Sequence, residues 1–149
     1  MGIGNILMRD DGAGVRAVEF LRGQKLPENI SLVDVGTTIY HTMGILSESE
    51  KLIVFDAVRL DQKPGTVYSF NADELRTKMP RKASSHEIGV LDALALLSLS
   101  GQAVPEVVII GVEPKDYGSW GDELSPEVLA AIPEMADRAM VQLKSWGAV

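Results

Sequence analysis

Apolar positions change their period several times along the chain. From Asp11 to Leu21, Val15, Val18 and Leu21 share one helical face and Arg16, Glu19 and Arg22 another, which predicts an amphipathic helix stopped by Gly23. Ile30–Val35 is a short β-rich run that brings Asp34 to a strand end, and Thr38–Leu46 predicts a short helix. Lys51–Val58 (KLIVFDAV) and Glu106–Val112 (EVVIIGV) are nearly continuous apolar runs, as in strands covered on both faces. Pro64-Gly65 marks a turn into a strand at Thr66–Phe70, and Asn71–Lys78 has room for one or two helical turns. Glu87–Ser100 predicts a helix that is apolar nearly all round, hence buried, and Gly101 ends it. Glu113–Glu123 is polar and glycine-rich, a loop. Pro126 opens a last helix to about Trp146, with Val128, Ile132, Met135, Ala139, Leu143 and Trp146 on one face. Pro133 is expected to kink or split it.

This alternation predicts an α/β fold over a single domain, 1–149: a doubly wound, mostly parallel twisted sheet with helices on both faces. Such a fold opens with a strand feeding its first glycine loop. Here Gly2-Ile3-Gly4 begins at once, so the first strand is expected to be missing or truncated by a late start of the chain.

Composition narrows the chemistry. The 149 residues carry 14 Lys plus Arg against 21 Asp plus Glu, a net charge of −7, which argues against nucleic acid as a partner. With no cysteine there is no thiol nucleophile, zinc ribbon, iron–sulfur site or disulfide scaffold, in keeping with a reducing, cytoplasmic setting. No apolar run reaches the roughly 18 residues of a membrane helix, so no membrane association is expected.

In open α/β sheets, function collects at the carboxyl ends of the strands. Asp56 follows the buried run Ile53-Val54-Phe55, and Asp34 holds the matching place on its own strand. A carboxylate there is costly unless it is paired, hydrogen-bonded or metal-bound; turn formation or capping is the plainer role, above all for Asp34. Asp10-Asp11 stand at a helix start, where the dipole favours negative charge and where N-capping alone would account for them. His86 follows Ser84 and precedes Glu87 at capping-box spacing, which puts it in a first helical turn. The dipole disfavours imidazolium there and leaves a neutral ring with a lone pair; the alternative is a plain exposed histidine. His41 reads as structural. Asp11, Asp56 and His86 all map to one edge of the sheet, and two carboxylates with an imidazole suit a borderline divalent metal such as zinc or nickel. Nucleotide binding fits poorly, because Leu7 replaces the third glycine of G-x-G-x-x-G and no Walker lysine follows. No G-x-S-x-G supports a serine hydrolase.

The motifs then resemble a known family. Gly2-Ile3-Gly4-Asn5-Ile6-Leu7 with Asp10-Asp11-Gly12-Ala13-Gly14-Val15-Arg16 is similar to the opening motif of the nickel–iron hydrogenase maturation endopeptidases. Asp34-Val35-Gly36-Thr37 resembles their D-G-G-T, Phe55-Asp56-Ala57 their strand-end D-A, Ser85-His86-Glu87-Ile88-Gly89 their H-x-x-G, and Gly111-Val112-Glu113-Pro114 their late G-x-x-P. The resemblance implies a cytoplasmic endopeptidase. It would remove the C-terminal extension of a hydrogenase large-subunit precursor once nickel has been inserted. It also implies that Asp11, Asp56 and His86 ligate nickel carried by the substrate, with no permanent cofactor. Nickel would then act as Lewis acid, or only dock the substrate while Asp34 or Asp11 serves as general base. Gly36 and Thr37 are implied in substrate binding. Val35 departs from D-G-G-T and is expected to hinder close approach of a peptide. The loop with Tyr117 and Trp120 is a candidate mobile wall of the cleft. Two other readings remain open, a non-catalytic nickel-checkpoint or binding protein on the same fold and a nucleotide-binding module.

Overall fold

A computed structural model describes residues 1–71, 74 and 85–149, with 85–88 described as helix only. The chain runs β1 (Gly2–Ile3), a 3-10 turn (Arg9–Gly12), α1 (Ala13–Arg22) and β2 (Asp34–Gly36). A second 3-10 turn (Ile39–Thr42) leads into α2 (Met43–Glu48), then β3 (Lys51–Ala57) and β4 (Val67–Asn71). It ends with α3 (Ser85–Leu99), β5 (Glu106–Val112) and α4 (Pro126–Ser145). The sheet order is β2-β1-β3-β5-β4. The first four are parallel and β4 pairs antiparallel to β5 at the edge.

The apolar runs of β3 and β5 are continuous because each face meets a helical layer. Leu52, Val54, Val107 and Ile109 point to one side and pack with Leu46 of α2 and with Val90, Ala93, Leu94 and Leu97 of α3. Phe55, Ala57, Val108, Ile110 and Val112 point to the other and pack with Ala17, Val18 and Leu21 of α1 and with Val128, Ile132 and Met135 of α4. The in-register pairs Val54↔Ile109 and Phe55↔Ile110 alternate between the two cores, as a period of two requires.

The first strand, expected to be missing or truncated, is two residues long. Gly2–Ile3 lies between β2 and β3: Gly2 N–H donates to Val33 O at 2.9 Å, Gly4 N–H to Gly36 O at 2.8 Å, and Phe55 N–H to Met1 O at 2.8 Å. The Met1 amino group continues this ladder to Ile53 O at 2.6 Å, and its burial lowers its pKa to about 5. Two residues are too few to show a period, so the strand is invisible to pattern reading. β2 starts later than expected, at Asp34 rather than ending near it.

Three helix expectations also change or fall away. α3 is buried along one face only: Leu96 is 49% and Leu99 86% exposed. It closes as foreseen at Gly101, whose φ of +71° lets its N–H reach Ser98 O while Gln102 N–H reaches Leu97 O. α4 is one unsplit helix across Pro133. The carbonyl that Pro133 leaves without a helical donor is that of Leu129, an exposed position where water is at hand. The turns expected at Asn71–Lys78 lie mostly outside the described residues.

Candidate active site at the carboxyl edge of the sheet

Chain order reverses between β1 and β3, so the crevice at their carboxyl ends is the topological switch point of the sheet. The loop after β1 enters it as a tight backbone fold. Gly4 has φ +134°, and a Cβ there would lie 1.8 Å from Asp11 O. A Cβ on Gly2 would lie 2.3 Å from Gly14 O, and one on Gly14 would lie 2.2 Å from Phe55 O. These glycines let α1 rest directly on the backbone of β1 and β3. Their service is packing, which agrees with the poor nucleotide match.

The loop turns back on Asp11, which is buried. Asn5 N–H donates to Asp11 Oδ2 at 2.8 Å, and Leu7 N–H to Asn5 Oδ1 at 3.0 Å. Asp56 is buried at the end of β3, in register with Gly111, and its Oδ1 accepts from Ala57 N–H at 2.9 Å. The 3-10 turn that carries Asp11 packs on β3, so the two carboxylates share this edge. His86 lies in the first turn of α3. A Cβ on Gly89 in the next turn would sit 3.5 Å from Ile39 Cγ2, in the segment following β2, which brings the start of α3 to the same edge. The His86 side chain lies outside the described residues, as does the expected Ser84–Glu87 capping box. Among the described residues no cluster of three metal-type ligands forms.

Asp34 is exposed, and its Oδ1 accepts from Gly36 N–H at 2.9 Å, a local turn. Gly36 has φ +60° with nothing within 4 Å of a Cβ position, so its backbone is approachable; Thr37 beside it is exposed. Val35 packs against the core on the α3 side of the sheet.

Asp10, grouped in the sequence with Asp11, has a different task. It is fully buried, and its Oδ2 accepts from Lys115 N–H, Asp116 N–H and Ser125 Oγ–H, each at 2.9 Å. Its Oδ1 accepts from Ser125 N–H at 2.7 Å. Arg9 N–H reaches Gly121 O at 2.8 Å and Gly121 N–H reaches Leu7 O at 3.0 Å. Arg9 itself is held at φ +48°, with its Nε 3.5 Å from Asp116 Oδ2. Hydrogen bonding from Ser119, then the Arg9 charge, keeps the Asp116 carboxyl below the usual range. The loop expected as a mobile wall is thus pinned to the glycine loop.

Glu113 was not singled out from the sequence as a carboxylate of interest. It is buried just past β5 and accepts from Leu60 N–H at 2.9 Å and Tyr68 O–H at 2.6 Å. Burial, then the bond to Glu113, raises the Tyr68 pKa. This carboxylate ties the segment after Asp56 to the edge strand. The rule that flagged Asp56, an acid directly after a buried strand, also points to Glu113.

The chain has relatives among known proteins. Residues 15–142 match the family model described as hydrogenase maturation protease. The chain is similar to the hydrogenase expression/formation protein HupD of Bradyrhizobium diazoefficiens, 38% identical over 149 residues, covering 99% of this chain and 78% of that one. It is 30% identical to the hydrogenase 2 maturation protease of Escherichia coli, covering 99% of this chain and 90% of that one. Among solved structures it is similar to the E. coli hydrogenase maturating endopeptidase HybD, with TM-score 0.88 and 30% identity over 98% of this chain and 91% of that one. A [NiFe] hydrogenase maturation protease from Thermococcus kodakarensis superposes with TM-score 0.79 at 30% identity, over 95% of each chain.

Proposed function

The chain belongs to the hydrogenase maturation protease family, and from that premise we propose that it reads nickel in its substrate through Asp11, Asp56 and His86. It is a hydrolase, an endopeptidase that processes the precursor of a hydrogenase large subunit. The part proposed here is that the bond cut lies before a C-terminal extension, after nickel insertion. The observation that carries it is the burial of two carboxylates, Asp11 and Asp56, on packed elements at the topological switch point, with the first turn of α3 at the same edge.

Carboxylates and an imidazole are borderline donors suited to Ni(II). With no cysteine in the chain, thiolates come only from the substrate. The metal arrives as the substrate's cargo, and the protein holds none of its own. When present, nickel polarises a carbonyl or serves as a docking point. The chain's own groups do the rest. Backbone donors fix one oxygen each of Asp11 and Asp56, and the peptide passes over the uncrowded Gly36-Thr37 segment. A carboxylate of this edge, Asp34 or Asp11, takes the proton of the attacking water. A cytoplasmic setting is part of this proposal; no described helix is long and apolar enough to cross a membrane.

Purified precursor incubated with Asp11→Asn, Asp56→Asn and His86→Ala tests the assignment. Each variant is expected to process on the order of 10²-fold more slowly or worse, with its melting temperature retained. Processing by His86→Ala at the wild-type rate would remove it from the set.

A further inference from the structure

The two loops locked together above Asp11 expose three large apolar side chains. Ile6 and Leu7 lie in the turn whose backbone closes on the Asp11 carboxylate, and they are 39% and 52% exposed. Trp120, on the loop pinned by Asp10, is 76% exposed. Met8 and Gly121 form a parallel bridge, which sets Leu7 and Trp120, each one residue before it, level with one another. Scattered exposed apolar residues need no explanation, but three on adjoining rigid loops at the edge of a catalytic crevice form a patch.

We propose that Ile6, Leu7 and Trp120 form a preformed shelf on which an apolar segment of the hydrogenase precursor docks, beside the bond to be cut. This rests on the proteolytic reading of the site. The occupant follows from position: a second copy of the chain seated here would cover the Asp11 turn and shut out the substrate, whereas a substrate segment gains both contacts at once. Rigidity favours the same answer. The fourfold bonding of Asp10 and the Leu7–Gly121–Arg9 ladder fix both backbones before binding, so docking costs little further ordering. Tryptophan supplies large contact area on two rotatable bonds and is enriched among the residues that dominate binding energy.

The test is steady-state processing of nickel-loaded precursor by wild type, Leu7→Ser, Trp120→Ala and the double variant. Leu99→Ser, an exposed apolar site at the opposite edge, serves as control. The double variant is expected to raise the KM for precursor at least 10-fold while kcat stays within about twofold and the melting temperature is unchanged; Leu99→Ser should leave both constants alone. An unchanged KM in the double variant, with wild type active, overturns the shelf alone. So does a double variant that changes the sedimentation coefficient of the protein and not its KM, since that assigns the patch to self-association. A wild type that cuts no precursor overturns the proteolytic reading first, and the shelf with it.

Discussion

Asp10 and Asp11 are chain neighbours of one charge and similar burial, yet their partners differ in reach. Asp11 is bound by Asn5 within its own loop, whereas the donors to Asp10 lie 105 to 115 residues away. A buried carboxylate that gathers main-chain N–H groups from a distant loop is a structural bolt. Asp10→Ala leaves those donors without an acceptor and is expected to cost about 3–5 kcal/mol, read from urea unfolding. A loss below about 1 kcal/mol would contradict that role. The sequence alone could flag the pair as acids at a helix start but could not rank them, because nothing local announces a partner a hundred residues on. The first helical turn expected for His86 from its spacing to Ser84 and Glu87 is where α3 places it, while the capping box itself lies outside the described residues. Glu113, buried directly after β5, occupies the same kind of position as Asp56.

At the level of elements, glycine placement decides how closely α1 can lie on the sheet. Gly14 faces Phe55 O and Ile3 O, where a Cβ would stand at 2.2 and 2.3 Å. Gly44 in α2 has open space and no positive φ. Gly14→Ala is therefore expected to destabilise by about 3 kcal/mol or more, since α1 must lift off β1 and β3. Gly44→Ala is expected to stabilise by about 0.4–1 kcal/mol through the unfolded chain. Denaturant midpoints that moved the same way for both would refute the packing account. The same scale shows what patterning can and cannot convey. The long runs Lys51–Ala57 and Glu106–Val112 announce buried parallel strands, because seven apolar-rich residues leave few other solutions. Gly2–Ile3 cannot be read that way, although it holds a place inside the sheet. The composition of α3 could not show that Leu96 and Leu99 face outward, because exposure depends on which neighbours happen to cover a helix.

Over the whole molecule, strand order converts residues far apart in sequence into one edge. β1 between β2 and β3 gathers the Asp11 turn, the end of β3 with Asp56, the Asp34–Thr37 segment and the start of α3 at a single crevice. The α/β topology was readable from alternating elements, and with it the edge that carries the candidate site. The central claim is that this edge cuts only a precursor that already carries nickel. Mass spectrometry of the large-subunit precursor after incubation with the protease, nickel-loaded in one arm and nickel-free in the other, measures it directly. Loss of the C-terminal extension in the loaded arm alone is the predicted result. Equal loss from both arms would contradict the account.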